Sequence, residues 1–186
     1  MKKIIATILC AGLIAIMAAG CGYSDALDAQ KSAADATAAS EQGTTAPVVK
    51  STDYQNNFNG LCDYFIKKGY VTTGDKNANV VEMDASLIGA TKGNKYTTSF
   101  DGKAITIELY ELDLNNDTAK AIVESVKKDG TFTILDLPAV PAYISDNGKF
   151  LMVYTDASID KEKPDQTSTT YIHREEVVKD FKEFNK

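Results

Sequence analysis

The sequence predicts an α+β fold: a single domain with a mostly antiparallel sheet of about five strands and helices packed on one face. Two observations point there. Phe100-Asp101-Gly102-Lys103 and Asp146-Asn147-Gly148-Lys149 each carry a two-residue turn whose backbone needs positive φ, the strongest short-range hairpin signal. Apolar side chains recur at helical spacing in three separate segments. The resulting order is helix, hairpin, helix, three strands, helix.

The first helix is expected over Asp53 to Lys68, where Tyr54, Phe58, Leu61, Cys62, Phe65 and Ile66 share one face. Ser51 or Thr52 would cap its start and Gly69 would stop it. Residues 71–92 are ambiguous, except that Asp84 is placed to cap a short turn through Leu87 and Ile88. Counting outward from Asp101-Gly102 pairs Thr98 with Ile105, Tyr96 with Ile107 and Lys95 with Glu108. The apolar pairs fall on one face and the Lys–Glu pair on the other, which supports that register. Ala119, Ile122, Val123 and Val126 mark a second helix ending near Gly130. Thr131 to Leu137 reads as a strand, and Pro138 and Pro141 give the next one an irregular or edge start. The second hairpin pairs Ile144 with Leu151, Tyr143 with Met152 and Ala142 with Val153. It is apolar on both faces, which suggests a central position or a covered outer face. Asp156 to Thr170 is a polar, acidic loop, and Val177, Val178, Phe181 and Phe184 mark the last helix.

The beginning of the chain is of another kind. Met1, Lys2 and Lys3 are followed by Ile4 to Ala19, sixteen residues without a charge. As a helix that run spans about 24 Å, short of the ~30 Å hydrocarbon core of a bilayer. A basic start, a short apolar centre and small residues before a break make a secretory signal. The break, Ala18-Ala19-Gly20-Cys21, resembles a bacterial lipobox. The resemblance implies diacylglycerol on the Cys21 thiol, cleavage by signal peptidase II between Gly20 and Cys21, and a mature chain lipid-anchored at the cell membrane outside the cytoplasm. Two or three acyl chains hold a protein on a membrane far better than one. The hairpins and C-terminal pattern within residues 54–184 also resemble uncharacterised small lipoproteins of Gram-positive anaerobes, a resemblance that implies no activity.

Three regions follow: a signal over 1–20, the lipidated cysteine and a disordered Ala/Ser/Thr-rich tether over 21–50, and the globular domain over 51–186. Residues 22–50 hold eight alanines and, besides Tyr23, no aromatic. Such a segment buries too little apolar surface to offset its ordering entropy, and as a coil it spans roughly 30 Å. Fifteen of the sixteen Phe and Tyr side chains lie between Tyr54 and Phe184.

Composition narrows the function. The chain has 186 residues with 20 basic and 26 acidic side chains, a net charge of −6. Loss of Lys2 and Lys3 with the signal would make it −8. No nucleic-acid partner is expected, because phosphate binding needs a basic stripe. Three cysteines, one histidine and no tryptophan exclude a zinc ribbon, a disulfide scaffold and any site needing two histidines. Cys10 lies within the signal, Cys21 carries the lipid, and Cys62 reads as an inert core thiol.

Asp113, Asn115, Asp117 and Glu124 have partial calcium-loop spacing. Thr118 stands where such a loop needs glycine, and Asn115, Asn116 and Asp117 also suit a helix N-cap. Gly89-Ala-Thr-Lys-Gly93 reads as a turn rather than a phosphate loop. His173 is the sole histidine, beside Arg174, Glu175 and Glu176, and there is no nucleophile elbow. Carboxylate pairs such as Glu108 with Glu111 or Asp156 with Asp160 cannot be assigned to a cleft from sequence.

The remaining lead is tyrosine, a stiff ring with a polar tip that is enriched at interfaces. Tyr110, Tyr143 and Tyr154 are therefore the candidate interaction surface, the alternative being that they cover the sheet beneath a helix. The expected function is non-catalytic binding of an envelope protein or a small ligand, with the membrane as the other partner. No cofactor is expected beyond the acyl lipid on Cys21. A small envelope hydrolase using carboxylates or His173, and a calcium-stabilised structural domain, are the alternatives.

Overall fold

The computed structural model describes residues 48–73, 79–135 and 137–186. Gly20, Cys21 and the expected tether as far as residue 47 lie outside the described residues.

Helix α1 (Phe58–Lys67) starts later than expected. The Asn57 side chain caps it, accepting the Gly60 N–H at 2.9 Å. Ser51–Asp53 form an isolated 3-10 turn instead of the helix start. Asn57 stands directly before the apolar run with extended backbone, so it satisfies the orphan donors where the buried face begins. Gly69 ends the segment at φ +76°, as its sequence position suggested.

Seven strands follow: β1 (Asn79–Glu82), β2 (Ala90–Phe100), β3 (Lys103–Leu112), β4 (Thr131–Phe132), β5 (Val140–Pro141), β6 (Tyr143–Ile144) and β7 (Phe150–Asp156). The main sheet has five antiparallel strands in the order β1-β2-β3-β7-β6. Thr98 pairs with Ile105, Tyr96 with Ile107 and Lys95 with Glu108, the register counted from the turn. Asp101 and Gly102 take φ of 49° and 70°, as that turn requires. In the second hairpin Tyr143 pairs with Met152 and Ile144 with Leu151, but the connection is longer than the expected two-residue turn. The Ser145 N–H bonds the Phe150 carbonyl, the Gly148 N–H bonds the Ser145 carbonyl, and of Asn147-Gly148 only Gly148 takes positive φ. Ala142, expected opposite Val153, bonds Gly130 instead.

The strand expected over Thr131 to Leu137 is only Thr131–Phe132, paired with Val140–Pro141 in a separate two-stranded ribbon. Leu135 turns to φ +53°, and the Leu137 N–H bonds the Ile134 carbonyl at 3.1 Å. That turn takes the chain out of the ladder. In the stretch left ambiguous, the Asp84 carboxylate accepts the Ser86 N–H and hydroxyl and starts a 3-10 turn, Ser86–Ile88.

The α+β class holds, but the helices do not lie on one face. Alternate residues of β3 and β7 feed two separate cores. Ile105, Ile107, Leu109, Phe150, Met152 and Tyr154 pack with α1 and α3 (Thr169–Lys182). Tyr110, Leu112, Leu151 and Val153 pack instead with α2 (Asp117–Asp129). A central strand apolar on both faces needs cover on both, and α2 supplies the second layer.

The Asn116 side chain caps α2 by accepting the Thr118 and Ala119 N–H groups, and Gly130 ends it at φ +69°. Ser168 caps α3. A polar clasp holds α3 to the end of α1. The Tyr70 hydroxyl donates to Asp180 at 2.5 Å, and Lys68 Nζ reaches the same carboxylate at 2.7 Å. Among the described residues no helix is long and apolar enough to cross a membrane.

Candidate functional site: a groove on the edge strand

Strand β6 is an edge of the main sheet, and one side of its backbone has no strand neighbour among the described residues. The Ser145 N–H bonds the Phe150 carbonyl at 3.0 Å, and Tyr143 pairs with Met152. Antiparallel alternation then turns Ala142, Ile144 and Asp146 outward. Two of these outward amides are used. The Ala142 N–H bonds the Gly130 carbonyl at 3.0 Å, and the Asp146 N–H bonds the Lys182 carbonyl at 2.9 Å. These bonds clamp the ends of α2 and α3 to either end of the edge. Ile144, between them, makes no main-chain hydrogen bond on that side among the described residues.

The result is a groove of about 440 Å³. Its floor is Ala142 to Asp146, and its walls come from Val126, Lys127 and Gly130 on one side and Lys182 on the other. Lys182 Nζ stands 5.6 Å from the centre of the Tyr143 ring. Burial raises the Tyr143 phenol above its ordinary range, so it stays protonated at neutral pH. Asp146 is paired with Lys186 at 2.8 Å. Lys127 and Lys182 have no carboxylate partner among the described residues. The groove therefore offers, on a residue 7% exposed, a main-chain position without a partner among the described residues, together with two lysines and an aromatic wall.

The three tyrosines expected to form one surface do not meet. Tyr110 is 6% exposed under α2 and Tyr154 is 8% exposed on the opposite face. Adjacent strands place them on different sides of the sheet, each covered by helix. The Tyr110 hydroxyl donates to Glu108 at 2.8 Å, and its ring lies over Gly93, its cross-strand partner. Tyr143 alone reaches the groove. Tyr154 Oη and Asp156 Oδ2 are buried without a partner among the described residues, whereas Asp156 Oδ1 accepts from Ser158.

The other candidates are engaged locally. Asp113 Oδ1 accepts the Asn115 N–H at 3.0 Å, Asp117 pairs with Lys120 at 2.8 Å, and Glu124 points outward on α2. Asp113, Asn115, Asp117 and Glu124 are thus turned to separate tasks. Among the described residues no three His, Cys, Asp or Glu side chains gather closely enough to hold a metal ion. His173 stacks on Phe100, centroids 3.8 Å apart and planes within 2°, and meets Tyr70 edge-on. Burial lowers its pKa, and Glu176 and Asp156 oppose that shift. Glu108 is held by Lys95 and Tyr110, and Glu111 by Lys149. Asp160 accepts the Glu162 and Lys163 amides. Cys62 is buried, and burial raises its thiol pKa, which disfavours the reactive thiolate.

Sequence reading missed Lys127, Lys182 and Ile144. They lie far apart in the chain and meet only when both helix ends close on the edge strand. The one signal in the sequence was Pro141, which marks an edge because it lacks an N–H. The chain matches no family model, no curated protein and no solved structure.

Proposed function

We propose that this protein is a lipid-anchored extracytoplasmic lipoprotein whose α+β domain is a non-catalytic binding module, with the β6 groove as its contact site. The observation that carries the binding reading is the groove itself: an open sheet-edge position between two lysines that lack carboxylate partners among the described residues. A sheet edge recognises a partner's main chain, and neighbouring side chains supply selectivity. The anchoring reading is supported by the basic start, the short apolar run and Gly20-Cys21. In it Cys21 carries the acyl chains, and the Ala-rich segment holds the domain off the lipid surface.

Two experiments test the two halves. Cys21→Ser should abolish incorporation of labelled fatty acid and release the protein from membranes, and continued labelling refutes the anchor. Affinity capture from detergent-solubilised envelopes should recover a partner whose retention is lost with Tyr143→Ala. Retention should survive Ile172→Ala, a change on α3 at a side chain 56% exposed and outside the groove lining. Recovery of no partner, or equal retention by both variants, refutes the groove.

A further inference from the structure

We infer that the β6 groove takes an extended acidic peptide, pairing its main chain at Ile144 and its carboxylates with Lys127 and Lys182; this rests on the groove being the contact site.

The main-chain part comes from the clamps. Ala142 and Asp146 spend their outward amides on Gly130 and Lys182, which leaves the Ile144 N–H and C=O as one donor and one acceptor side by side. A residue of an extended chain complements both at once, as an antiparallel pair does. A free inorganic anion fits this edge less well, because it faces a carbonyl oxygen as well as an N–H. The floor from Ala142 to Asp146 spans about 13 Å at ~3.3 Å per residue, room for four or five peptide residues.

The charge part comes from Lys127 and Lys182. Both lie in the last turns of their helices. A helix C-terminus carries about −0.5 charge, so two such ends offset roughly half of two ammonium groups. Asp146 does not cancel the remainder, because Lys186 already holds it. The groove's lining carries two lysines against one carboxylate that Lys186 holds, with Glu175 and Glu183 beside Lys182 on its outer side, in a chain whose net charge is −6. Lys127 and Lys182 belong to helices on opposite faces of the sheet and both line the groove, and the Lys127 Nζ lies at the hairpin loop, 3.9 Å from where a Cβ on Gly148 would stand. The Tyr143 ring beneath Lys182 gives the peptide's aliphatic carbons an apolar surface.

The test uses the full chain carrying Cys21→Ser, titrated with N-acetyl hexaglutamate amide and followed by amide NMR. The expected result is movement of the Ile144, Ala142, Asp146 and Gly130 signals, weakening with added salt. Lys127→Ala and Lys182→Ala should each weaken binding about fivefold, the scale of a partly exposed ion pair. Unmoved groove signals at millimolar peptide would overturn the inference. Equal shifts with hexalysine would overturn it too, as would equal shifts with inorganic phosphate, which would mark a simple anion site. If a partner is captured through Tyr143 while hexaglutamate moves nothing, the groove reading stands and the acidic class fails. If capture fails as well, both fall.

Discussion

Gly93→Ala tests why Tyr110 is buried. Gly93 and Tyr110 face each other across β2 and β3. A Cβ on residue 93 would lie 2.6 Å from Tyr110 Cδ1 and 2.7 Å from Cε1. Ordinary carbon contacts are about 3.5–4.0 Å, so the overlap is roughly 1 Å. The ring cannot easily withdraw, because α2 covers it and its hydroxyl donates to Glu108 at 2.8 Å. Overpacking of this kind costs about 1–3 kcal/mol. The lower backbone entropy of unfolded alanine offsets about 0.4–1 kcal/mol of it. The net loss is about 1–2 kcal/mol, or a Tm lower by about 3–10 °C for a domain of this size. The assay is thermal and urea unfolding in a double-mutant cycle with Tyr110→Ala. Once the ring is gone, the one tight contact left is Met83 Cβ at 3.3 Å, so Gly93→Ala should cost little, giving a coupling of about 1–2 kcal/mol. An equal cost in both backgrounds, or a stabilised single variant, would refute the packing of Tyr110 over Gly93.

Two further outcomes are expected. Tyr154→Phe keeps the buried ring and removes a hydroxyl with no partner among the described residues, so stability should be unchanged or higher by up to about 1 kcal/mol; a clear loss in urea unfolding would show that the hydroxyl makes a needed bond. His173 is lowered in pKa by burial over Phe100 and Tyr70. The unfolded chain therefore takes up the proton first as pH falls below about 6.5. The stability from neutral His173 is complete above that pH and is lost as pH falls toward the lowered folded value. His173→Phe should flatten this part of the pH–stability curve, and an unaltered slope would contradict it.

What the sequence conveyed depended on how local the cause was. The first hairpin register was legible because Asp101-Gly102 fixes the turn and alternation fixes the rest; in the second, Gly148 supplies the positive φ of a longer loop that keeps the Tyr143–Met152 and Ile144–Leu151 pairs. The second helix was legible from both ends, through Asn116 and Gly130. The start of α1 was misplaced because Ser51 and Thr52 are good cap residues too, and only packing shows that the buried face begins at Phe58. The single-faced helix layer failed although the apolar character of both faces of β7 was visible. Spacing does not say which helix covers which face. For Tyr110 and Tyr154 the alternative reading holds, that they cover the sheet beneath a helix, while Tyr143 alone reaches the groove. Tyr110 is covered by α2, which begins only seven residues later, and Tyr154 by α1 and α3, and spacing does not say which face each helix covers. The groove was not legible, because residues from α2, β6 and α3 line it and its open position is a main-chain feature.

The open edge at Ile144 can be measured directly by amide hydrogen exchange on the full chain. In the free protein the Tyr143 and Ser145 amides, paired to β7, and the Ala142 and Asp146 amides, held by Gly130 and Lys182, should be protected. The Ile144 amide between them should exchange faster than all four and become protected when a ligand occupies the groove. An Ile144 amide already as protected as its neighbours in the free protein would mean that the edge is closed, and the binding site proposed for this domain would not exist.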